Sequence, residues 1–396
     1  MAGKLKMNNP LQRRSGNTTK NVLSSQLHPR KPPGSRNSRF LILGIVGLVL
    51  CLLGLLMVLS ASSVNDLQIY DNAWHHIRRQ SIWFILGLGA CIALIQIDYH
   101  LLRRFSNVAI CVAGFLLLIV LIPGVGIEVK GSTRWLDFGP ITVQPSEVAK
   151  LAIILFCADR LSLKGQELAL TKNPLKLLLG VLVTFVALIM LEPDFGTTLV
   201  VVAIFGALIF FAGTQAKTLI QISGVAVIGA VGLALSASYR RDRLIGLLDP
   251  WSDALGSGWQ PIQAGAAVAN GGISGVGFGE STGKWGWLPE AHTDFIYAII
   301  AEEMGLIGSL FVIALYMVIG FTGLSTALNA PDTFGRLLAV GTTTWIMIQA
   351  FVNIGAVLGL LPITGITLPF LSFGGNALLS TLIAYGILLN VARQSK

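Results

Sequence analysis

Apolar residues in this chain occur in long stretches rather than at alternating or helical-face positions. From residue 40 onward, stretches of about 17 to 25 mostly apolar residues are separated by polar segments, and each is long enough to cross about 30 Å of hydrocarbon as a helix. In lipid, a helix satisfies all of its own backbone hydrogen bonds. We therefore predict ten membrane-spanning helices. They lie at residues 40–60, 81–97, 106–122, 146–162, 174–191, 197–213, 218–236, 294–320, 336–361 and 370–391.

The composition excludes an ordinary soluble domain, in which about a quarter of the residues are charged. Here 12% of the 396 residues are charged and 54% are apolar, and the mean hydropathy is +0.74. All four cysteines lie in or beside apolar stretches, so no disulfide framework or metal-ligand spacing is predicted. The predicted fold class is an all-α polytopic integral membrane protein.

The distribution of Lys and Arg orients the helices, because positively charged segments stay on the cytoplasmic side. Residues 1–39 carry nine basic residues and no acidic one. We predict a basic, disordered cytoplasmic tail at 1–39, a membrane domain at 40–392 and a cytoplasmic C-terminus at 393–396. Nucleic acid is not a predicted partner, since anionic lipid beside the membrane explains the charge of the tail.

Two predicted extracytoplasmic segments are longer than about 12–15 residues, a length above which connections without secondary structure are uncommon. They are residues 123–145 and the large loop 237–293, between the seventh and eighth helices. The large loop is rich in tryptophan, which is typical of an interfacial aromatic belt but would also suit a stacking platform for a sugar or a lipid headgroup. A Gly-rich stretch in this loop fails as a P-loop, because Phe278 and Trp285 occupy required Gly and Ser/Thr positions. Neither a nucleotide nor a haem is predicted.

Acidic residues are concentrated on the predicted outer face. Twelve of the nineteen are Asp66, Asp71, Glu128, Asp137, Glu192, Asp194, Asp242, Asp249, Asp253, Glu280, Glu290 and Asp294. Acidic residues have little influence on orientation, so this bias indicates a functional site at the outer face. Glu147, Glu302 and Glu303 lie within predicted spans, where a charge costs about 2.5–3.5 kcal/mol and is a functional candidate.

Three short segments near the predicted outer helix ends contain the candidate chemistry. In QPSEVAK, Glu147 and Lys150 lie on one helix face, either as a satisfied structural pair or with Lys150 and nearby Arg134 facing an anionic headgroup. In EPDFGTT, Glu192 and Asp194 lie at an outer turn. The sequence does not choose between the two interpretations of Glu147 and Lys150.

The third segment, LPEAHTDF at 288–295, returns the large loop to the membrane as the eighth helix begins. Asp294 or Thr293 could cap that helix by accepting hydrogen bonds from its free amides. The alternative is that Asp294 acts as a general base at the boundary between water and bilayer, with His292 two residues upstream.

These segments resemble the SEDS family (shape, elongation, division and sporulation), whose members are multi-spanning peptidoglycan glycosyltransferases. The resemblance covers about residues 40–392, with the motifs in family order. They read GSTRW, QPSEVAK, EPDFGTT, GSGWQ, LPEAHTDF, AEEMG and PFLSFGGN. The last motif usually reads SYGGS in the family, whereas this chain has Phe373 and Asn376. The long basic tail favours the division-type members over the elongation-type members.

The resemblance implies that the protein joins the disaccharide units of lipid II into glycan strands and releases undecaprenyl pyrophosphate. It assigns the catalytic acidic residue to Asp294 and substrate binding to Arg134, Trp135, Glu147 and Lys150. The remaining candidate substrate contacts are Glu192, Asp194, Arg243, His292, Ser372, Gly374 and Gly375. The implied location is the bacterial cytoplasmic membrane at the division septum. The implied partners are a class B penicillin-binding transpeptidase and other divisome membrane proteins.

Such a reaction needs one base, because a polyprenyl pyrophosphate leaves as a stable anion without a proton. Asp294 can take the proton of the acceptor 4-hydroxyl as that oxygen attacks the anomeric carbon with inversion. Cationic groups then have to stabilise the pyrophosphate. Arg134, Lys150 and Arg243 are the candidates, with Mg²⁺ or Mn²⁺ as the expected cofactor and no predicted protein metal ligands.

Two other functions compete with this enzyme. In a lipid II flippase, Glu147, Lys150, Glu302 and Glu303 would line the path, but the chain shows no half-to-half repeat of the kind common in transporters. A scaffold for a transpeptidase would leave the Asp294 segment unexplained.

Overall fold

The structure is a computed structural model that describes residues 37–129, 132–137, 139, 142–163, 174–236 and 238–395. Within these residues the chain forms twelve α-helices and a three-stranded sheet. The helices are α1 (Ser38–Tyr70), α2 (His75–Gln96), α3 (Ser106–Val120), α4 (Pro145–Ser162), α5 (Pro174–Leu191), α6 (Phe195–Phe211), α7 (Ala216–Ser236), α8 (Ser238–Leu248), α9 (Trp259–Gly271), α10 (Ile296–Leu328), α11 (Thr333–Val357) and α12 (Gly375–Gln394). The predicted basic tail falls almost entirely outside the described residues, as does Lys396.

Each of the ten predicted apolar stretches coincides with a helix, namely α1 to α7 and α10 to α12. Among the described residues, seven helices are long and apolar enough to span a membrane, and α5 and α6 are shorter apolar helices. The remaining helix, α4, carries two acidic and two basic residues that interrupt its apolar sequence. They are Glu147, Lys150, Asp159 and Arg160.

Several predicted boundaries are wrong. Helix α1 continues to Tyr70 and α10 to Leu328, beyond the predicted ends at 60 and 320. Hydropathy detects only the part of a helix that matches the hydrocarbon thickness, and the polar turns beyond it give no such signal. The predicted loop 237–293 contains α8 and α9.

The segment 123–145 is also more ordered than a loop. It forms the antiparallel strands β1 (Gly126–Val129), β2 (Ser132–Asp137) and β3 (Thr142–Val143), in the order β1-β2-β3. The small sheet packs at the ends of α3 and α4. It therefore carries Arg134 and Trp135 on β2 beside the first turn of α4.

Polar contacts group the helix ends into the two sets that the predicted orientation requires. At the ends predicted to be cytoplasmic, Arg103 Nε lies 2.7 Å from Asp159 Oδ1, and His100 Nε2 lies 3.0 Å from Asp332 Oδ2. At the opposite ends, β2 contacts the turn between α5 and α6, and α8 contacts the segment 358–374. The candidate residues Asp294, Arg134 and Arg243 belong to this second set.

Helices α11 and α12 form the centre of the bundle, and α7 lies at its edge. Trp345 on α11 is fully buried, and α11 packs against α4, α6, α10 and α12. Along α7, by contrast, none of the most apolar 18 residues is buried in the protein. Side chains such as Ile220 and Ile228 on α7 are therefore placed to face lipid.

Candidate functional site at the outer helix ends

Helix α10 is broken at Gly305, whose φ of 67° and ψ of −162° lie outside the helical region. The segment 271–277 pairs with the backbone groups that the break frees. Its amides donate to the carbonyls of Glu302 and Glu303, and its carbonyls accept from the amides that follow Gly305. Irregular backbone at membrane depth needs such protein partners. As a result, Ile296–Met304 forms a half-helix of its own, and the LPEAHTDF segment leads directly into it.

The two acidic residues of this half-helix fasten the large loop to the bundle. The carboxylate of Glu302 accepts hydrogen bonds from the amides of Thr282 and Gly283, each at 3.2 Å. Glu303 lies 3.6 Å from the ammonium of Lys284 and accepts a hydrogen bond from Ser60 on α1 at 2.6 Å. The buried charges within this predicted span thus have protein partners.

Asp294 lies at a small pocket between the start of α10, the end of α11 and the segment 358–374. The pocket is lined by Asp294, Phe295, Asn353, Ala356, Val357, Ile363, Thr364, Gly365 and Ile366. Asn353 Nδ2 donates to the backbone carbonyls of Asp294 and Ile366, both at 2.8 Å. The N-cap position of α10 is Phe295, and it makes no side-chain capping hydrogen bond. The Thr293 hydroxyl donates to the Glu290 carbonyl and carboxylate instead of capping α10. The capping interpretation of Asp294 stays a prediction.

The PFLSFGGN motif packs against the residues that precede Asp294. The Ser372 hydroxyl donates to the Thr293 carbonyl at 2.6 Å, and the Phe373 amide donates to the His292 carbonyl at 2.9 Å. A Cβ at Gly375 would lie 2.2 Å from the Trp83 indole, so the close approach of α12 to Trp83 depends on this glycine.

The other members of this motif have less demanding surroundings. A Cβ at Gly374 would meet neighbours only at 3.5 Å, an ordinary contact. Asn376, where the family usually has a hydroxyl, donates to the Thr142 carbonyl on β3. Asn376, which differs from the family motif, thus connects α12 to the small sheet.

A second group of candidate residues surrounds the turn between α5 and α6. Arg134 Nε donates to the Glu192 carbonyl at 2.9 Å, and a second nitrogen donates to the Pro193 carbonyl at 2.6 Å. Asp194 caps α6 by accepting from the Thr197 amide at 3.1 Å. Burial raises the pKa of Glu192 to about 9, helped by the nearby charge of Asp194 and opposed by Arg134. The Glu192 carboxyl is therefore protonated at neutral pH.

Lys150 is fully buried inside the bundle. Its ammonium lies 2.7 Å from Glu147 Oε1 and 3.0 Å from Gln349 Oε1, and 4.5 Å from the centre of the Trp345 ring. In this geometry Glu147 and Lys150 form the ion pair of the first interpretation, and the other Glu147 oxygen, Oε2, has no hydrogen-bond partner among the described residues. Contact of Lys150 with a headgroup stays a prediction.

Arg243 lies on α8 and donates to the Ile363 carbonyl at 2.8 Å. Ile363 lines the Asp294 pocket, so α8 places this guanidinium beside the wall of the pocket. Arg134 is placed instead with the Glu192 group.

Known proteins match nearly the whole described chain. A family model described as "Cell cycle protein", for FtsW, RodA and SpoVE, matches residues 40–396. The chain belongs to the FtsW, RodA and SpoVE family. Stage V sporulation protein E of Bacillus subtilis strain 168 is 42% identical over 361 residues, which is 91% of this chain and 99% of that protein. The "Probable peptidoglycan glycosyltransferase FtsW" of Geobacter metallireducens is 38% identical, over 90% of this chain and 95% of that protein.

Solved structures show the same fold. A chain of the structure "Structural coordination of polymerization and crosslinking by a peptidoglycan synthase complex" matches with a TM-score of 0.70 and 28% identity, covering 89% of this chain and 96% of that one. The rod shape determining protein RodA of Thermus thermophilus matches with a TM-score of 0.63 and 27% identity, with the same coverage of 89% and 96%. The SEDS resemblance and the all-α membrane fold are confirmed.

Two amides of this FtsW, RodA and SpoVE family protein, which the sequence reasoning missed, connect Lys150 and the Asp294 pocket to the segment 358–374. Gln349 accepts from Lys150 and donates to the Thr367 carbonyl at 2.9 Å, while Asn353 holds the Asp294 pocket. They lie four residues apart on α11. Their spacing could have revealed them, because two polar residues one turn apart in an apolar span indicate a helix face with hydrogen-bond partners inside the bundle.

Across the described ranges, no three His, Cys, Asp or Glu side chains converge in an arrangement that could hold a metal ion.

Proposed function

We propose that this chain is a peptidoglycan glycosyltransferase that polymerises lipid II at the outer face of the cytoplasmic membrane and releases undecaprenyl pyrophosphate. The observation that carries the proposal is the Asp294 carboxylate at a pocket whose walls Asn353 and Ser372 hold in place. A relative that matches over nearly its full length is named a probable peptidoglycan glycosyltransferase.

In the proposed reaction, Asp294 accepts the proton of the acceptor hydroxyl while that oxygen attacks the anomeric carbon of the donor sugar. The new glycosidic bond forms as the bond to the pyrophosphate breaks, and the pyrophosphate keeps the electron pair. A hydrolase needs a second carboxyl group to protonate the leaving sugar oxygen, whereas pyrophosphate leaves as an anion. One base is therefore sufficient, and its proton passes to water after the transfer.

The pyrophosphate has to be stabilised by positive charge. Arg134 and Arg243 lie at the outer helix ends and are the proposed contacts, with Lys150 deeper in the bundle. The protonated Glu192 beside Arg134 supports this role, because a neutral carboxyl leaves the charge of the guanidinium uncancelled. Mg²⁺ or Mn²⁺ remains a proposed cofactor.

The cellular role is proposed to be septal synthesis during division, together with a class B penicillin-binding transpeptidase and other divisome proteins. Relatives named FtsW support the division role. The similarity to a chain of a peptidoglycan synthase complex supports a transpeptidase partner. Relatives named for sporulation and rod shape make sporulation and elongation the alternative roles.

Strand formation by the purified protein tests the proposed chemistry. With lipid II and a class B transpeptidase in detergent, we expect glycan strands on a gel from wild type. Asp294→Ala and Asp294→Asn should both slow the reaction by about 10²–10⁴-fold, because neither side chain can accept the proton. Asp253→Asn is the matched control, since Asp253 is an exposed acid in the same outer loop.

Two results would contradict the proposal. Normal strand formation by Asp294→Ala would show that Asp294 is not the base. A wild-type protein that forms no strands, but moves lipid II across vesicle membranes, would establish the flippase function instead.

A further inference from the structure

Asp66 is a fully buried carboxylate that joins the end of α1 to the start of α2. It accepts hydrogen bonds from the Ser62 hydroxyl at 3.1 Å and from the His76 amide at 2.9 Å, and it pairs with His76 Nδ1. Helix α2 has no acidic residue in its first turn, and its N-cap residue Trp74 makes no side-chain hydrogen bond. Asp66 therefore supplies the negative charge that a helix N-terminus favours. The same carboxylate fixes the orientation of the His76 ring.

The ring of His76 packs against the two motifs that surround the base. Its centre lies 4.7 Å from the centre of the His292 ring and 4.6 Å from that of Phe373. One turn further along α2, Gln80 Nε2 donates to the Ser372 carbonyl at 3.1 Å, and Gln80 Oε1 accepts from the Gly374 amide at 3.3 Å. Helix α2 thus holds the segment 372–374 at two points on one face.

That segment in turn holds the backbone immediately before Asp294. The carbonyls of His292 and Thr293 accept from the Phe373 amide and the Ser372 hydroxyl. The carbonyl of Asp294 itself accepts from Asn353 on α11. Three consecutive carbonyls are therefore fixed from outside the segment, two of them by the residues that α2 holds.

We propose that His76, oriented by the Asp66 carboxylate, is a positioning residue for Asp294. It acts through the rings of His292 and Phe373 and through the backbone between them, without contact with the substrate. This inference rests on the proposed function, in which Asp294 is the base. A displacement of a base by about 1 Å can slow catalysis by up to about 10²-fold. Loss of His76 should consequently lower kcat and leave the KM for lipid II nearly unchanged.

The neighbouring His75 provides a matched control. Its ring stacks on Tyr70 at 3.9 Å and meets the His76 ring edge-on at 5.4 Å, whereas the contacts with His292 and Phe373 are made by His76. We expect His76→Ala to lower kcat at least about tenfold with the KM within about twofold, and His75→Ala to change neither beyond about twofold. A folded His76→Ala protein with normal kcat would overturn the inference.

A double variant separates positioning from the cost of a buried, unpaired charge. His76→Phe keeps a ring beside His292 but leaves the Asp66 carboxylate without its imidazole, which is costly in the interior. Asp66→Asn in the same protein removes that charge. Because the ring is then no longer oriented by a carboxylate, we expect the double variant to recover only part of kcat, to a value between those of His76→Ala and wild type. A double variant as slow as His76→Ala would contradict a positioning role of the ring.

Hydrogen–deuterium exchange tests the inference without any activity. The amides of Thr293 and Phe295 donate to the Glu290 carbonyl in the folded segment. Their exchange should accelerate in His76→Ala and stay at the wild-type rate in His75→Ala. If Asp294→Ala is fully active, the proposed base is wrong, yet exchange still shows whether His76 holds the segment. Unchanged exchange in His76→Ala would reject the inference by itself.

Discussion

Glu192 lies in the turn between α5 and α6 with its side chain fully buried. Among the residues that the structure describes, neither of its carboxyl oxygens has a hydrogen-bond partner. Removal from water disfavours the charged form of a carboxyl group, and here it raises the pKa to about 9. Burial therefore keeps the Glu192 carboxyl neutral in the region proposed to bind substrate.

This protonation gives Glu192 a testable effect on stability. Its folded-state pKa of about 9 lies above its ordinary value of 4.5. The folded state then binds the proton more tightly than the unfolded state, so the contribution to stability is complete below pH 4.5 and is lost as the pH rises toward 9. We expect the Tm of wild type to fall relative to that of Glu192→Gln between about pH 5 and about pH 8.5.

Thermal unfolding of the detergent-purified proteins at the two pH values measures this difference. Asp242→Asn serves as the control, because Asp242 is an exposed acid on α8. Its Tm should follow that of wild type at both pH values. Equal pH dependence in wild type and Glu192→Gln would show that Glu192 is ionised in the folded protein.

At the scale of the element, the break in α10 matters most for the site. The half-helix Ile296–Met304 is connected to the rest of α10 through Gly305 and is held by the segment 271–277. A backbone with positive φ and extended ψ is almost restricted to glycine. A Cβ at Gly305 would also lie 2.3 Å from the Gly275 amide nitrogen.

We therefore expect Gly305→Ala to destabilise the protein and to reduce its activity. The backbone conformation alone costs about 1–3 kcal/mol for a residue with a side chain. The clash with Gly275 adds to this cost and displaces the half-helix that follows Asp294. Thermal unfolding and strand formation measure the two effects.

Gly206→Ala on α6 is the matched control for this prediction. Gly206 lies within a regular helix, and a Cβ there would meet no atom within 4 Å. Alanine is the better helix former by roughly 0.5–1 kcal/mol. The control should be at least as stable as wild type. A Gly305→Ala protein as stable as Gly206→Ala would show that the break in α10 does not require glycine.

At the scale of the whole molecule, the helix ends fall into two polar sets with the apolar bundle between them. The set with Asp294, Arg134 and Arg243 is placed outside by the distribution of Lys and Arg along the sequence. The contacts within each set agree with that grouping. The side of the membrane on which each set lies follows from the charge rule.

Cysteine labelling in intact cells stripped of the outer wall tests this orientation. In a Cys111→Ala background, which removes the exposed native cysteine among the four, Leu255→Cys should react with a membrane-impermeant maleimide. Asn329→Cys, in the exposed connection between α10 and α11, should react only after the membrane is permeabilised. The opposite pattern would invert the topology and place Asp294 on the cytoplasmic side.

Long, mostly apolar stretches in the sequence were enough to predict α1 to α7 and α10 to α12, and the segments that hold the candidate residues. Lipid offers no hydrogen bonds to the backbone, so a long apolar stretch has to be a helix whatever its neighbours are. Short polar motifs at the ends of these stretches then marked Asp294, Arg134 and Glu192 without knowledge of any contact. Helix lengths were less accurate, because polar turns beyond the hydrocarbon carry no such constraint.

The contacts and protonation of those residues depend on packing between parts of the chain that are far apart in sequence. The break at Gly305 depends on a segment about thirty residues earlier in the chain, which pairs with the freed backbone groups. The neutral state of Glu192 depends on burial between helices and a sheet, and the orientation of Asp294 depends on contacts from α2, α11 and the segment 372–374. Hydropathy is a local property of the chain, whereas hydrogen-bond partners and burial are set by residues distant in sequence.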